Sequence, residues 1–349
     1  MSKQLIVDSD VGPVEASIED LVSTKLNSFS GWNCNAGTQN LYIDFDGRVW
    51  IANCAGAGMN SILYFEKGDP WGYLGKFNSE FMLPTKSVIC NKQQCGCGSD
   101  IVITKHKPGF VQSGAAARIV PIADLKSINS VQTNYDLPKQ ILWDIGRRCN
   151  YDCSYCWPTV HNTTDPHKGL AEMVVAADYC IDKWANGQVI RWYFGGGEPT
   201  LNPDFEPFVE YLSKRNQWVM LVTNGSQGPS YWEKNADNYD TLIFSAHFEF
   251  MKPSLFSKNY CKVVEVLTNS PKKLSTFVIK LMTKPGEIQQ SQDFVEKLKS
   301  DCGYDSLPQY VKDRLLFDMV PLRDIVIGSK MKDYTKQDLE QVIEFNRRK

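Results

Sequence analysis

From about Lys139 onward, the chain alternates short apolar runs with longer amphipathic stretches. Short apolar runs rich in β-branched and aromatic residues are typical of buried strands, and their alternation with helical patterns is typical of βα units in a parallel sheet. The predicted strands are Gln140–Ile145, Arg191–Phe194, Trp218–Thr223, Thr241–His247, Ser275–Met282 and Arg314–Val320. The predicted helices are Ala171–Trp184, Pro203–Lys214, Ser230–Asn235, Leu255–Leu267, Gln292–Ser300 and Lys336–Arg347. The pattern therefore predicts an α/β fold for this part of the chain.

The preceding part of the chain has shorter strand-like runs and more Gly and Asn. Asp46-Gly47 separates two alternating apolar runs, which is a hairpin signal because this dipeptide tolerates positive φ. Such a hairpin brings Cys34 and Cys54 towards the same end of a ribbon. Ser, Asn, Thr and Gln gather in Pro121–Pro138, where we expect the linker. We therefore predict a smaller β-containing module over residues 1–130 and an α/β domain over residues 131–349.

Composition narrows the class of protein without identifying it. Of 349 residues, 42% are hydrophobic and 22% charged, as in ordinary globular proteins. The net charge of −2 and the lack of basic runs give no reason to expect nucleic acid as a partner. No apolar run is long enough to span a membrane. Eleven cysteines, several in metal-type spacings, favour a reducing compartment with bound metal, so we expect a cytoplasmic protein.

Three cysteines form a compact motif after the first predicted strand, at Cys149, Cys153 and Cys156. Three thiolates on one loop supply three of the four ligands that a cubic iron–sulfur cluster usually takes, which leaves one iron open to a small molecule. A structural zinc site is the alternative, with His161 or His167 as the fourth ligand. The cysteine spacing alone leaves both sites open.

A glycine-rich motif, Gly195-Gly196-Gly197-Glu198-Pro199-Thr200, follows the second predicted strand. The CxxxCxxC spacing, with an aromatic residue just before the last cysteine and GGGEP downstream, resembles the radical S-adenosylmethionine (SAM) superfamily. The resemblance disfavours zinc at the cysteine loop. It implies a partial (β/α)6 TIM-like barrel, in which ligand-binding loops follow the C-terminal ends of the strands.

The resemblance also implies a chemistry. Cys149, Cys153 and Cys156 would hold a [4Fe–4S] cluster whose open iron binds SAM. Reductive cleavage of SAM would give a 5′-deoxyadenosyl radical that abstracts hydrogen from a peptide or a small polar metabolite. Such an oxidoreductase or transferase-type enzyme would take electrons from a donor such as flavodoxin or ferredoxin. The alternative is a non-catalytic iron–sulfur or SAM-binding sensor protein with a structural zinc site in its N-terminal module.

Further site residues follow from the resemblance one by one. The glycines would present backbone polar groups to the SAM ammonium, and Glu198 would add a counter-charge or hold that loop in shape. Tyr155 would lie near adenine, and Asn224 and Ser245 near the ribose, adenine or carboxylate of SAM. Structural roles remain open for the last two, as a turn former and a small strand residue. The expected cofactor-binding residues are Tyr155, Gly195, Gly196, Gly197, Glu198, Asn224 and Ser245, and the expected substrate-facing catalytic residues are His247 and Glu249.

A second cysteine group lies in the N-terminal region, at Cys34, Cys54, Cys90, Cys95 and Cys97. A cysteine, a hairpin with a central glycine and a second cysteine resemble the auxiliary-cluster modules called SPASM or twitch domains. This group precedes the barrel, whereas those modules usually follow it, and its later cysteine spacing differs. The resemblance implies an auxiliary [4Fe–4S] cluster without fixing its ligands. A structural zinc site and unligated thiols are the alternatives.

Overall fold

The computed structural model describes residues 4–9, 12–17, 27–52, 54, 72–73, 86–90, 95, 103, 105–106, 139–156, 164–269, 274–322 and 334–347. The chain divides into two compact units, one of residues 1–142 with 178–190 and the other of residues 143–177 with 191–349. The predicted domain boundary at residue 130 and the predicted linker Pro121–Pro138 lie outside the described residues and stay predictions.

The described strands of the first unit pair with one another in antiparallel fashion. β1 pairs with β2, β3 lies between β7 and β8, and β5 lies between β4 and β6. These strands are β1 Gln4–Ser9, β2 Gly12–Ser17, β3 Asn33–Cys34, β4 Asn40–Ile43, β5 Arg48–Trp50, β6 Gly72–Tyr73, β7 Val88–Ile89 and β8 Lys105–His106.

The predicted hairpin around Asp46-Gly47 is confirmed by the antiparallel pairing of β4 with β5. Gly47 has a φ of 76°, the left-handed conformation that glycine adopts most easily. Buried Asp44 fixes the turn, because its carboxylate accepts the Asp46 and Arg48 N–H groups, each at 2.9 Å. The same carboxylate accepts the Trp50 indole N–H at 3.0 Å, so the turn is tied to the strand that follows it.

The strands from β9 to β14 are neighbours in chain order within one sheet. Parallel pairing runs from β10 through β14. The strands are β9 Lys139–Asp144, β10 Ile190–Gly195, β11 Trp218–Thr223, β12 Thr241–Ala246, β13 Thr276–Thr283 and β14 Leu315–Pro321. The α/β class and the six strand positions predicted from the sequence are confirmed, in a partial (β/α)6 arrangement.

Helices follow the strands as the amphipathic stretches predict. They are α1 Leu170–Tyr179, α2 Phe205–Lys214, α3 Pro229–Asn235, α4 Pro253–Asn269, α5 Ile288–Asp301, α6 Gln309–Lys312 and α7 Lys336–Arg347. The short helix α6 was not predicted, because a four-residue helix is too short to show a periodic pattern.

The predicted helix Ala171–Trp184 is wrong over its last turn. The α-helix ends at Tyr179 and continues as a π-helical turn, Cys180–Trp184, in which the Ala185 N–H donates to the Cys180 carbonyl at 2.8 Å. Residues Asn186 and Gly187 both have positive φ, which ends the helix. Apolar periodicity does not distinguish a π-turn from an α-turn, so the change could not be predicted.

An aromatic cluster fills the core on one face of the sheet. Trp143 on β9 and Phe194 on β10 are buried, and their rings lie 5.9 Å apart. Phe208 of α2 contacts both rings edge-on, at 5.5 Å and 5.8 Å. This packing fixes the strands β9 and β10 next to each other, and with them the two loops that leave their C-terminal ends.

Candidate functional site

The cysteine loop leaves β9 and holds three thiols close together. Cys153 is buried, Cys149 and Cys156 are half-buried, and the Cys156 N–H donates to the Cys153 carbonyl in a tight turn at 3.0 Å. The Tyr151 N–H points at the Cys149 sulfur at 3.4 Å. Within the described parts of the chain, no three Cys, His, Asp or Glu side chains are already arranged around a common point as metal ligands.

The electrostatics of these thiols suit a soft metal. Burial raises the pKa of Cys149 to about 11 and that of Cys153 to about 12. The charge of Cys156 adds a smaller increase to both pKa values. Deprotonating several thiols so close together requires a compensating positive charge, which a bound metal provides. The three thiols therefore fit three ligands of an iron–sulfur cluster. The Tyr151 N–H could donate to the Cys149 thiolate once it binds the metal.

The glycine loop after β10 packs directly on the cysteine loop. The Gly197 N–H donates to the Gly146 carbonyl at 2.8 Å, and the Glu198 N–H donates to the Arg148 carbonyl at 2.7 Å. A Cβ atom on Gly197 would lie 2.7–2.8 Å from the carbonyl carbons of Arg147 and Arg148, where no side chain fits. Glycine at this position is therefore needed for the two backbones to meet.

Glu198 is a buried carboxylate that holds this junction together. One oxygen accepts the Thr200 N–H at 3.1 Å, the Thr200 hydroxyl at 2.6 Å and the Thr223 hydroxyl at 2.7 Å. The other accepts the Asn224 N–H at 2.7 Å. Burial raises the pKa of Glu198, and the hydrogen bonds oppose this effect. Of the two predicted roles, these contacts match the one in which Glu198 holds the loop in shape.

Asn224, at the end of β11, reaches the cysteine loop. Its amide donates to the Asn150 side-chain oxygen at 2.8 Å and lies 3.9 Å from the Cys149 sulfur. Asn150 in turn donates to the Ser226 hydroxyl at 2.9 Å. Ser245 is buried on β12. The structure thus brings Asn224 to the first cysteine, and SAM binding by Asn224 or Ser245 stays a prediction.

Tyr155 and His247 form a stacked pair beside the cysteine loop. The Tyr155 hydroxyl and His247 Nδ1 are hydrogen-bonded at 3.0 Å, and the rings stack with centroids 5.9 Å apart. Burial lowers the pKa of His247 to about 4, and the charge of Glu249 only partly opposes it. The imidazole is therefore neutral at physiological pH. The predicted contact of Tyr155 with adenine and the catalytic role of His247 stay predictions.

Glu249 is an exposed residue whose carboxylate contacts the cysteine loop. Its carboxylate accepts the Ser154 N–H at 2.7 Å and the Ser154 hydroxyl at 2.6 Å, and it forms an ion pair with Lys284 at the end of β13. Burial acts to raise the pKa of Glu249, but hydrogen bonds from Lys284 and Ser154 leave it below its usual value. Ser154 and Lys284 were not predicted from the sequence, because neither belongs to a motif.

Two arginines that precede Cys149 hold the segment that follows the cysteine loop. Arg147 pairs with Asp165 at 3.0 Å, and Arg148 Nη1 lies 3.2 Å from His167 Nε2. Burial, and then the charge of Arg148, lower the pKa of His167. His167 therefore has an arginine partner, and His161, the other candidate zinc ligand, lies outside the described residues.

A cavity of about 90 Å³ opens beside this network. Its walls combine apolar, polar and charged side chains from the ends of β12 and β13, from the cysteine loop and from the start of α5. The lining residues are Tyr155, Phe248, Glu249, Met282, Lys284, Glu287 and Gln290.

In the first unit, the structure brings three of the five N-terminal cysteines together. Cys34 is buried with Ala36, Ala52 and Ile103, and Cys54 and Cys90 pack against this group. The expected convergence of Cys34 and Cys54 is therefore observed. Cys95 is buried and its N–H donates to the Asn27 carbonyl at 2.8 Å, whereas Cys97 lies outside the described residues.

Residues 143–248, which carry both motifs, match the model of the Radical SAM superfamily. This segment is a radical SAM domain. No helix within the described ranges is both long and apolar enough to cross a bilayer.

Curated relatives match part of the chain. Mycofactocin maturase MftC of Mycobacterium tuberculosis (strain CDC 1551 / Oshkosh) is 32% identical over 98 residues, which are 28% of this chain and 24% of the maturase. PqqA peptide cyclase of Rhodopseudomonas palustris is 26% identical over 107 residues, covering 29% of this chain and 26% of the cyclase. The similarity thus spans about a quarter of each relative.

Among solved structures, Streptococcus suis SuiB bound to S-adenosylmethionine aligns with a TM-score of 0.43 and 18% identity. That alignment covers 64% of this chain and 49% of SuiB.

Proposed function

We propose that this protein is a radical SAM enzyme in which Cys149, Cys153 and Cys156 hold a [4Fe–4S] cluster with SAM at its open iron. The observation that carries the proposal is the junction of the two loops. Within the segment of this chain that matches the radical SAM model, the three thiols lie on one loop. The backbone of this loop is hydrogen-bonded to the Gly195–Glu198 loop. When bound, the cluster and SAM supply one-electron cleavage of the sulfonium and a radical that removes hydrogen from the substrate.

The chain's own residues hold this site in shape. Glu198 fixes the glycine loop to the end of β11, and Asn224 continues that network to Cys149. Glu249 fixes the far side of the cysteine loop through Ser154. The three cysteines are therefore positioned by contacts from neighbouring strand ends, as a preorganised site requires.

Tyr155, on the cysteine loop, lines the cavity and is hydrogen-bonded to half-buried His247. The neutral imidazole and phenol exclude water from this side of the cysteine loop without adding a charge. A dry site protects a radical intermediate from side reactions. The substrate in this proposal is a peptide or a small polar metabolite, and the electron donor is flavodoxin or ferredoxin.

We further propose that Cys34, Cys54 and Cys90, with Cys95 or Cys97, bind an auxiliary [4Fe–4S] cluster, with zinc as the alternative. The clustering of the first three cysteines supports one shared site. Thiolates suit both iron–sulfur clusters and zinc, so only metal analysis separates the two.

The test of the function is SAM cleavage under anaerobic conditions. The full chain is reconstituted with iron and sulfide, then given SAM with or without dithionite, and 5′-deoxyadenosine is measured. We expect product only with dithionite. Repeated failure to cleave SAM by protein with an intact cluster, also when candidate peptides and metabolites are supplied, would favour a non-catalytic SAM-binding protein.

A further inference from the structure

Lys105 is a lysine enclosed in the interior of the first unit. It is only 2% exposed, and its Nζ donates to the Ile103 carbonyl at 3.0 Å. The ammonium group also lies over the Phe29 ring, 5.1 Å from the ring centroid, in a cation–π contact. Lysine is rarely buried unless its charge is compensated, because leaving water costs free energy. A buried ammonium group therefore favours negative charge in its surroundings.

Lys105 leaves its strand on the same face of the sheet as Cys34. Strand β8 pairs with β3, and Cys34 is the direct register partner of Lys105. Opposite residues of an antiparallel pair lie on one face of the sheet, with Cβ atoms about 4.5–5.5 Å apart. Ile103 is buried together with Cys34, and Cys54 and Cys90 pack against the same group. Lys105 therefore lies beside the group in which these three thiols gather.

One short segment, residues 27–32, contacts both the ammonium group and two cysteines. It carries the aromatic ring that covers the ammonium group. Its backbone exchanges two hydrogen bonds with the Cys90 backbone, at 2.7 Å and 2.8 Å. The Asn27 carbonyl accepts the Cys95 N–H at 2.8 Å, and the Asn27 side-chain amide donates to the Cys95 carbonyl at 3.2 Å. The segment thus holds Cys90 and Cys95 next to the residues that enclose the ammonium group.

A metal site formed by these cysteines would be anionic. Four thiolates carry more negative charge than a zinc ion or a cubane iron–sulfur core neutralises. A positive charge offsets this excess more strongly in the protein interior than in water, because the effective dielectric constant is lower. Groups around the ligands change metal affinity without touching the metal. The buried ammonium group therefore has the sign and the location needed to stabilise such a site.

We propose that Lys105 is the buried counter-cation of the metal–thiolate site at Cys34, Cys54 and Cys90. The inference rests on the auxiliary metal site proposed above, and it adds the residue that compensates the charge of that site. Lys105 is not a metal ligand in this proposal, because its ammonium group is only a donor of hydrogen bonds. Its effect is the same for an iron–sulfur cluster and for zinc, since both sites are anionic.

The test measures how firmly the first unit holds its metal. The parent is the full chain with Cys149→Ala/Cys153→Ala/Cys156→Ala, so that the cysteine loop of the second unit holds none. It is loaded with iron and sulfide, or separately with zinc, and metal loss to excess EDTA is followed. Adding Lys105→Met keeps an unbranched side chain but removes the charge. We expect this variant to lose metal about tenfold faster than the parent.

Lys139→Met is the matched control in the same parent. The Lys139 Nζ donates to the Thr38 carbonyl at 2.9 Å and lies 4.4 Å from the centroid of the Trp184 ring, so it makes the same two kinds of contact. Lys139 lies on β9, outside the sheet of β3, β7 and β8. Its replacement should leave the rate of metal loss unchanged.

A second measurement, in the otherwise wild-type chain, separates charge compensation from packing. Bound metal stabilises a folded chain, so the urea midpoint of unfolding should rise when metal is loaded. This rise should be smaller for Lys105→Met than for the wild-type chain, whatever the variant does to the metal-free protein. An equal rise, or equal rates of metal loss, would overturn the role of Lys105 and leave the metal site in place. A parent chain that binds no metal would overturn both.

Discussion

At the scale of single residues, the site depends on buried polar groups whose partners are fully specified. Glu198 illustrates this, because its two oxygens accept four hydrogen bonds from residues on two loops. A buried carboxylate is costly to desolvate, and it is tolerated here because each contact is a charge-assisted hydrogen bond. The stability of the junction therefore depends on this one side chain.

Glu198→Gln should destabilise the fold by about 2–3 kcal/mol. The NH₂ group of glutamine would replace one carboxylate oxygen, and the hydrogen-bond donors facing that oxygen would then lack an acceptor. Urea unfolding of the two proteins measures the change in the free energy of unfolding. The control is Glu210→Gln, which removes an exposed carboxylate paired with Lys214 and should leave stability unchanged. Equal effects of the two substitutions would show that the buried network adds nothing.

His247 should make stability depend on pH. Its folded pKa of about 4 is below the value of about 6.5 for an unperturbed histidine, so the unfolded chain binds the proton first. The contribution of His247 is complete above pH 6.5 and is lost as the pH falls towards 4, by up to about 1.4 kcal/mol per pH unit. His247→Asn should remove this slope, as measured by unfolding at several pH values. An unchanged slope in the variant would show that His247 titrates normally.

At the scale of elements, the decisive feature is the meeting of two loops at the ends of β9 and β10. Their backbones touch because Gly197 has no side chain, and Glu249 and Lys284 add a second attachment from the ends of β12 and β13. The cysteine loop is therefore held from both sides by strand ends that a parallel sheet brings to one edge.

Gly197→Ala should disrupt this junction, with a loss of about 1–3 kcal/mol or more, because the added methyl group overlaps the Arg148 backbone. The midpoint temperature of thermal unfolding and the iron content after reconstitution should both fall. Gly169→Ala is the matched control, since a Cβ atom there meets no other atom within 4 Å. Similar behaviour of the two variants would mean that the loops do not need this close contact.

The sequence predicted the elements and motifs well, because strand alternation and cysteine spacing are local signals. It did not predict the partners of the motif residues. Ser154 and Lys284 are far apart in sequence and meet only through Glu249, and nothing local marks either of them. The π-turn Cys180–Trp184 was likewise invisible, because its apolar pattern matches that of an α-helix.

At the scale of the whole molecule, each of the two units carries its own group of cysteines. The second unit holds Cys149, Cys153 and Cys156 on one loop, and the first unit holds Cys34, Cys54 and Cys90 in one cluster. Each group offers three thiols, which are the donor type of iron–sulfur and zinc sites. The metal content of the intact chain is therefore the property that links both units to function.

Metal analysis of the reconstituted chain should give about eight irons per chain if both cysteine groups bind cubane clusters. It should give about four irons and one zinc if the cysteines of the first unit form a structural zinc site. The variant Cys34→Ser/Cys54→Ser/Cys90→Ser should lose about half of the iron, or the zinc, and keep the metal of the second unit. Unchanged iron and zinc in that variant would exclude a metal site at these three residues.

Two variants compared in the same anaerobic assay show whether the three thiols of the cysteine loop hold the cluster that cleaves SAM. Cys149→Ala/Cys153→Ala/Cys156→Ala removes the thiols of the proposed cluster, and Cys180→Ala removes a buried thiol of the π-turn. Iron content and 5′-deoxyadenosine formed from SAM and dithionite are measured for each. We predict that the triple variant loses about four irons and all SAM cleavage, whereas Cys180→Ala keeps both. A triple variant that retained its iron and still formed 5′-deoxyadenosine would show that these cysteines do not bind the cluster that cleaves SAM.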